Sequence, residues 1–481
     1  MSFSSRITTA LADSNLQVAL DGNFERSRTQ RMNAMAALPN ADLVRDRARA
    51  IRIEALSRLD TYLLQLEAAV QARGGVVHWA ATAADANRIV LEIVQRKGDV
   101  TSPLVAKSKS MVSEEIGLNA ALEKAGLRVV ETDLGEYIVQ LRGERPSHIV
   151  ATAIHLRRSD VATLFEKHLG LPRTDDIPTL TAAARKALRE VFVKADIGIS
   201  GVNFGVAESG TLCLVTNEGN GRLCTTLPKV HIALMGIERV VPTLADLEIM
   251  LRVLARSATG QKITGYTNLL TGPRRRRDEP DGPDELHLIL VDNGRSRVLG
   301  SELAESLLCI RCGACLNICP VYREIGGHAY DAVYPGPIGA VVAPALGGFT
   351  EFGELAGASS LCGACQEVCP VRIDIPTMLL KVRSAHVEET GGDAAWLGPA
   401  MKLWSFAMRS LPGYRLSLWL GRLGTRLLAR NGWVRRLPGP PGGWTQSRDF
   451  PALARKSFRA RFVERQTTDD RRQTMDDKRK T

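Results

Sequence analysis

Seven of the nine cysteines lie in two short runs, and their spacing is the strongest chemical signal in the sequence. The first run is Cys309-x2-Cys312-x2-Cys315-x3-Cys319, followed by Pro320. This is the pattern of bacterial ferredoxins, in which three thiolates hold one [4Fe–4S] cluster and the fourth ligates another cluster. Zinc also binds Cys-x2-Cys pairs, but four cysteines this close together that end in Cys-Pro favour iron–sulfur chemistry.

The second run has only three cysteines, in the pattern Cys-x2-Cys-x3-Cys-Pro, and Ser359 stands where the first run has its first cysteine. Crossing the ligands between the runs predicts two clusters. The two ligand sets are then Cys309, Cys312, Cys315 and Cys369 for cluster 1, and Cys319, Cys362 and Cys365 for cluster 2. Cluster 2 could be [3Fe–4S], or [4Fe–4S] with Ser359, Ser360, water or another group on its last iron. An iron without a thiolate can bind an oxygen ligand as a Lewis acid, but we favour an electron-relay cluster with a substituted ligand.

Strand-like and helical patterns alternate between residues 73 and 300, which predicts an α/β domain with a largely parallel sheet. The predicted strands are 76–80, 127–131, 148–154, 196–200, 210–216, 229–235 and 286–292. The predicted helices are 84–95, 113–124, 182–192 and 243–255. The loop Arg274–Arg277 could contact phosphate, but the acidic residues that follow it favour a solvated hairpin tip.

The rest of the chain predicts three further regions. Residues 1–72 form an N-terminal helical region, because apolar residues recur there at helical spacing: Ile51, Ile53, Leu56, Leu59, Tyr62, Leu63 and Leu66. Residues 301–390 form the helical two-cluster, ferredoxin-like domain. Residues 391–481 form a C-terminal helical extension with a basic tail that we expect to be disordered after Phe462. Within it, the basic amphipathic segment 403–428 could contact a membrane or a partner, although packing on its own domain is the favoured interpretation.

Outside the cysteine runs, the sequence gives only weak support for a functional role of any single residue. Glu208 is a candidate catalytic residue, and Lys107 and Lys109 are polar candidates, although a structural role is favoured for each. Three histidines fall at or near predicted strand ends: His78, His148 and His155. We expect Cys213 and Cys224 to be buried structural cysteines. The chain has no dinucleotide, nucleotide-phosphate, serine-hydrolase or zinc-protease motif.

The composition of the chain argues against a nucleic-acid-binding protein and against a membrane-spanning one. The 481 residues suggest about three compact units, and the net charge of +11 invites a nucleic-acid hypothesis. Residues 451–481 carry ten Lys/Arg and five Asp/Glu, however, and aromatic residues make up only 5% of the chain, so nucleic-acid binding is not favoured. The N-terminus has no apolar leader pattern, and no stretch is long and apolar enough to span a bilayer. We therefore expect a cytoplasmic protein.

Several further motifs resemble the lactate utilization protein B family, the iron–sulfur subunit of a three-part L-lactate oxidation system. Together with both cysteine runs, they are Lys107–Ser110, Glu114–Gly117, Glu131–Glu136, Pro146–His148, Ala207–Thr211, Leu290–Arg295 and Trp444–Arg448. The resemblance implies an α/β domain of the LUD type, similar to sugar isomerases and CoA transferases, followed by the ferredoxin-like module. It also implies electron transfer during oxidation of L-lactate to pyruvate with two companion subunits, and the missing eighth cysteine is normal for the family.

Two matters stay open at this point. The resemblance leaves the final electron acceptor unknown. The α/β domain could instead be catalytic itself on a carboxylate or CoA-type substrate, with the clusters structural or sensing. In that alternative the chain would be an enzyme in its own right, and in the favoured one it is the electron-transfer subunit of an oxidoreductase complex.

Overall fold

The computed structural model describes residues 1–96, 103–274, 278–279, 281–391, 397–446 and 448–466. These residues divide into two compact units, Met1–Thr390 and Gly391–Thr481. The finer division of the first unit at residues 72 and 300 remains a prediction.

The first unit opens with four helices: α1 Phe3–Ala12, α2 Ser14–Ala36, α3 Ala41–Ser57 and α4 Leu59–Ala72. Asp13 caps α2 by accepting the backbone N–H groups of Asn15 and Leu16. Along α3 the small and apolar residues Ala48, Ile51 and Ala55 are buried at helical spacing. These helices share a hydrophobic core with the cysteine module further along the chain.

The described residues between Val76 and Val291 form ten strands and eight helices of the α/β domain. The strands are β1 Val76–Ala80, β2 Leu104–Lys107, β3 Arg128–Glu131, β4 Ile197–Gly201, β5 Phe204–Val206, β6 Thr211–Thr216, β7 Val230–Gly236, β8 Val240–Val241, β9 Tyr266–Leu270 and β10 Glu285–Val291. The helices are α5 Ala83–Gln95, α6 Met111–Glu115, α7 Leu118–Lys124, α8 Leu134–Arg142, α9 Arg158–Leu169, α10 Ile177–Lys194, α11 Asn220–Thr226 and α12 Leu244–Ala258.

The strands form two sheets. The larger has the order β1-β10-β7-β4-β2-β3, and all of its neighbouring strands are parallel. This confirms the predicted α/β domain with a parallel sheet. The smaller sheet has the order β8-β5-β6-β9, and β6 is antiparallel to both of its neighbours. The predicted strand at 210–216 therefore exists, but it belongs to this second sheet.

Two local predictions are wrong for identifiable reasons. Residues 148–154 form bends and turns instead of a strand, because Nδ1 of His148 accepts the N–H groups of Val150 and Ala151 that a strand would donate to its neighbour. The predicted helix 113–124 is two helices, α6 and α7, which are separated at Gly117 with φ +64°.

The cysteine module is made of short helices and irregular backbone. Helix α13 Arg295–Leu299 connects the module to the α/β domain. The helices of the module are α14 Pro320–Ile325, α15 Gly336–Gly347, α16 Phe349–Phe352, α17 Ala364–Glu367 and α18 Ile375–Thr390. The proline after each cysteine run lies just past the last thiol, and Pro320 occupies the first turn of α14, where a missing N–H costs no hydrogen bond.

The second unit contains α19 Leu397–Met408, α20 Leu411–Leu428, β11 Trp433–Val434 and β12 Phe450–Pro451, and the two strands pair antiparallel. Neither helix has a buried residue, and the large side chains of Phe406 and Leu427 are exposed. Residues 458–466 are helical, so the disorder predicted after Phe462 is wrong as far as residue 466, and the remaining tail lies outside the described residues. Among the described helices, none has the length and apolar character required to cross a membrane.

Candidate functional site

The two cysteine runs are one backbone motif used twice, and equivalent positions differ by 50 residues, from 309 to 359. Gly313 and Gly363 follow equivalent cysteines and have φ values of +74° and +83°, a conformation that glycine adopts without strain. Arg311 and Leu361, which precede those cysteines, also share a left-handed backbone, with φ +57° and +54°. The repeat therefore extends beyond the spacing of the cysteines.

Ser359 occupies the position of the missing cysteine in structure as well as in sequence. The Sγ of Cys309 accepts the N–H of Arg311 at 3.4 Å. In the second run, the Oγ of Ser359 accepts the N–H of Leu361 at 3.1 Å. Both side chains thus accept a hydrogen bond from the residue two places further on, and both begin the same loop.

The seven thiols fall into two electrostatic groups, each drawn from both runs. Burial raises the pKa of Cys315 strongly, and Cys309, Cys312 and Cys369 raise it further. Burial also raises the pKa of Cys365 to about 12, with contributions from Cys319 and Cys362. The groups that affect one another are therefore one set of four and one set of three.

These thiols fit iron–sulfur clusters by their chemistry. All nine cysteines of the chain are free of disulfides, and six of the seven in the runs are buried. Burial raises the pKa of Cys312 to about 12 and that of Cys369 to about 11, so buried thiolates at these positions need cations beside them. Iron ions supply that charge. Cys362 is the exposed member of the set, which places the three-thiol group at the surface of the described first unit.

Helix α3 presents a row of arginines to the backbone around the four-thiol group. Arg45, Arg49 and Arg52 lie on one face by their spacing. Arg49 Nη1 donates to the carbonyl of Arg372 at 2.6 Å, and Arg52 Nε donates to the carbonyl of Leu308 at 3.3 Å. Arg52 is fully buried, and burial lowers its pKa to about 10. These arginines therefore bind the backbone just before the first cysteine run and just after the second. They also bring positive charge close to the four-thiol group.

A buried ion-pair network joins the α/β domain to the cysteine module. Arg295 donates to both carboxylate oxygens of Glu115 at 2.8 Å, and its Nε donates to Glu238 at 2.6 Å. Tyr334 of the cysteine module donates to Glu115 at 2.6 Å. Although burial opposes ionisation, Arg295 and neighbouring arginines lower the pKa of Glu238 to about 2. Two of the family-like motifs, Glu114–Gly117 and Leu290–Arg295, thus meet at this network.

A cavity of about 400 Å³ opens beside the first cysteine run. It lies where β2 and β4 end, at the carboxyl edge of the parallel sheet, which is the usual ligand-binding edge in α/β folds. Lys109 and Arg239 bring positive charge to its wall, Asn220 begins α11 there, and Arg311 reaches it from the loop between Cys309 and Cys312. The cavity therefore adjoins the proposed position of cluster 1.

The three predicted polar candidates lie in different places: one lines the cavity, one is buried in the core and one is exposed. Lys109 lines the cavity, and its Nζ donates to the carbonyl of Val150 at 2.6 Å. Lys107 is fully buried and pairs with Glu131 at 2.7 Å. Glu208 is exposed and is not among the residues that line the cavity, and its carboxylate accepts the N–H of Leu244 at the start of α12. Its catalytic role stays a prediction that this geometry does not support.

The three candidate histidines have structural contacts. Burial lowers the pKa of His148 to about 3, and its Nε2 lies 3.1 Å from Oδ1 of Asn317 in the cysteine module. Since Nδ1 accepts backbone N–H groups, Nε2 is the donor in that contact. His155 contacts Glu144 at 3.0 Å, and His78 contacts His287 at 3.0 Å.

Cys213 and Cys224 are buried, and burial raises the pKa of each to about 12, as expected for structural cysteines. Arg274 pairs with Asp284, which fits a neutralised hairpin, and residues 275–277 of that loop lie outside the described residues.

Sequence reasoning missed Asn220, Arg239 and Arg311 as cavity residues. Asn220 lies between two glycines, Gly219 and Gly221, and nothing in that spacing marks its side chain as a site residue. Arg311 lies between two cysteines, so its position beside a cluster was visible, but its position in a cavity of the other domain was not.

Comparison with known proteins agrees with this architecture. Residues 63–291 match the LUD domain, residues 305–373 match a 4Fe-4S dicluster domain, and residues 385–467 match the C-terminal region of lactate utilisation protein B. Lactate utilization protein B of Bacillus subtilis is 44% identical over 97% of both chains. The uncharacterized electron transport protein YkgF of Escherichia coli is 45% identical over 97% of both chains.

A third relative and one solved structure were also compared with the chain. Lactate utilization protein B of a Geobacillus species is 46% identical over 96% of this chain and 97% of its own. The crystal structure of a DUF162 family protein from Deinococcus radiodurans has 15% identity and a TM-score of 0.27, and it covers 48% of this chain and 98% of its own.

Proposed function

Because the chain belongs to the lactate utilization protein B family, we propose that it relays electrons through two iron–sulfur clusters while L-lactate is oxidised to pyruvate. Lactate gives up two electrons, and an iron–sulfur cluster, when bound, takes up or releases one at a time. Two clusters in one module are suited to splitting the pair. We also propose that two companion subunits supply the remaining steps and that the α/β domain has the sugar-isomerase and CoA-transferase type of fold.

The observation that carries this proposal is the crossed grouping of the thiols. Cys369 of the second run acts on the pKa of Cys315 together with two thiols of the first run, and Cys319 of the first run acts on the pKa of Cys365 together with Cys362. This supports a set of four ligands for cluster 1 (Cys309, Cys312, Cys315 and Cys369) and a set of three for cluster 2 (Cys319, Cys362 and Cys365).

Ser359 is the residue that we propose for the remaining position of cluster 2. Its Oγ takes the same backbone hydrogen bond as Sγ of Cys309, so the second loop offers an oxygen where the first offers sulfur. Ser360 is exposed and lies one position further along. The exposure of Cys362 supports cluster 2 as the point where electrons pass to or from a partner protein.

Crossed ligation is tested with two cysteine variants of the full chain, reconstituted anaerobically with iron and sulfide. We expect Cys369→Ser to impair the cluster held by the first run, and Cys319→Ser to impair the cluster held by the second. Iron and sulfide analysis together with EPR spectra of the reduced protein distinguishes the two. If each variant damaged the cluster of its own run, the crossed arrangement would be wrong.

The relay role is tested by growth on L-lactate. A strain that lacks its own copy of the protein should grow on L-lactate when it carries this chain, and should fail to grow with Cys369→Ser. Growth supported by an iron-free protein would refute the relay. A second candidate function, ligand binding or catalysis by the α/β domain itself, is favoured by one observation, the cavity beside Arg311.

A further inference from the structure

The cavity beside the first cysteine run contains buried polar groups that lack hydrogen-bond partners. Both the Nδ2 and the Oδ1 atom of Asn220 are buried and unpartnered among the described residues, and so is Nη1 of Arg311. Asn220 is only 4% exposed and Arg311 only 8% exposed. A buried donor or acceptor without a partner is costly, so three such atoms on two residues of one cavity wall indicate a site built for a polar ligand.

The remaining contacts of Arg311 hold its guanidinium in place and leave Nη1 without a hydrogen-bond partner among the described residues. Its Cζ lies 4.3 Å from the centre of the Tyr334 ring, and Nη2 lies 4.0 Å from Oε1 of Glu238. The equivalent position in the second cysteine run is Leu361, which has the same backbone conformation and no charge. The left-handed backbone is therefore common to both cysteine runs, whereas the positive charge of Arg311 is found only in the first run.

The charge on the wall favours an anion of low charge. Lys109, Arg239 and Arg311 share the wall with two carboxylates, Asp133 and Glu218. Both of these carboxylates are engaged at the start of α8, where Asp133 accepts the N–H of Gly135 at 3.1 Å and Glu218 accepts the N–H of Leu134 at 3.2 Å. A third carboxylate, Glu238, lies 3.6 Å from Arg239 and 4.0 Å from Arg311. Because cations and carboxylates are nearly balanced here, the site suits one carboxylate better than a phosphate dianion or a nucleotide.

The side-chain amide of Asn220, which has no partner among the described residues, indicates that the ligand carries a second polar group. Because Asn220 lacks a partner for both its donor and its acceptor, and Oγ1 of Thr216 on the same wall is also unpartnered, a ligand with an additional oxygen would satisfy more of these groups. Apolar side chains such as Val202 and Leu254 line the rest of the wall and suit a small carbon skeleton.

We propose that this cavity binds a small organic carboxylate that carries a further hydroxyl or carbonyl oxygen, with Arg311 contacting the carboxylate and Asn220 the second oxygen. The inference rests on the proposed function in one respect, because Arg311 reaches the cavity from the loop that holds cluster 1. It adds to that function a binding site within this chain, next to cluster 1.

The test is calorimetric titration of the anaerobically reconstituted full chain with L-lactate, pyruvate, propanoate and inorganic phosphate. We expect lactate or pyruvate to bind at least tenfold more tightly than propanoate, which lacks the second oxygen, and phosphate to bind more weakly still. Preference for phosphate, equal affinity for propanoate, or no binding of lactate and pyruvate would overturn the proposal.

Three variants locate the site. Asn220→Leu and Thr216→Val should each raise the Kd for the better of the two ligands, at least tenfold for Asn220→Leu. Asn268→Leu is the matched control, because Nδ2 of Asn268 is also unpartnered but lies outside the cavity, and it should leave the Kd unchanged. Thr216→Val keeps the volume of the side chain, so it serves if Asn220→Leu does not fold. Unchanged affinity in the folded cavity variants would refute the assignment.

Cluster content, measured on the same samples by iron analysis and EPR, separates this inference from the proposed function. Intact clusters without ligand binding would refute the cavity inference and leave the electron relay standing. Ligand binding by a chain that never acquires clusters would refute the relay and leave the cavity standing.

Discussion

Arg45 donates hydrogen bonds from both Nε and Nη2 to the backbone carbonyl of Cys369, the Nη2 bond at 2.9 Å. Cys369 is the thiol that the second run contributes to the four-thiol group, so helix α3 is attached directly to the crossing point between the runs. The guanidinium also offsets the rise in the pKa of Cys369 that burial causes. Positive charge close to a cluster stabilises the reduced state of the cluster, because that state carries one more negative charge.

Removal of this charge should lower the reduction potential of cluster 1. We expect Arg45→Gln to shift that potential downwards by on the order of tens of millivolts, as measured by EPR-monitored redox titration, and to leave the potential of cluster 2 unchanged. Arg47→Gln is the control, because Arg47 lies on the same helix but pairs with Asp246 at 3.0 Å. Equal shifts in both variants would mean that the effect is not local to Cys369.

Substitution of Ser359 tests the proposed oxygen ligand of cluster 2. We expect Ser359→Cys to give a [4Fe–4S] cluster that resists oxidative loss of iron, because a thiolate then completes the second ligand set. Ser359→Ala should favour the three-iron form. The measurements are iron content and EPR before and after exposure to air. Ser360→Cys provides the control one residue away, and identical behaviour of the two cysteine variants would contradict the assignment.

The iron–sulfur module could be predicted from sequence because ferredoxin ligation depends on short-range spacing, and alignment of the two runs also shows Ser359 at the position of the missing cysteine. The cavity could not be predicted. Asn220 and Arg311 lie far apart in the chain and meet only because the cysteine module packs on the carboxyl edge of the sheet.

Helix α3 shows a second limit of sequence patterns. Ile53 is one of the apolar residues whose helical spacing predicts the N-terminal helices, yet it is 47% exposed and its neighbour Arg52 is fully buried. Arg52 is buried because backbone carbonyls on either side satisfy its guanidinium, among them those of Leu307 and Val240 at 2.9 and 3.0 Å. Those carbonyls belong to distant segments, so hydropathy along the helix carries no sign of them.

The network around Arg295 should stabilise the junction between the α/β domain and the cysteine module. Glu115→Gln removes one carboxylate from a buried, bidentate pair and should destabilise the fold by about 3 kcal/mol, seen as a lower thermal unfolding midpoint. Glu92→Gln breaks an exposed pair with Arg88 and should leave the midpoint unchanged. If both variants unfolded at the same temperature, the network would not be a stabilising feature.

Glu136 should make the stability of the first unit fall as the pH rises. Burial raises its pKa to about 8 even though Lys109 opposes the shift, and its Oε1 has no hydrogen-bond partner among the described residues. Between its ordinary pKa and about 8 the folded state therefore binds a proton that the unfolded state does not, so stability decreases with increasing pH across this window. Glu136→Gln should remove that slope and stabilise the protein at pH 8 and above by about 1–3 kcal/mol. Thermal unfolding between pH 5 and 9 measures it, with the exposed Glu123→Gln as control. A slope that persists in Glu136→Gln, or disappears in Glu123→Gln, would assign the pH dependence to another group.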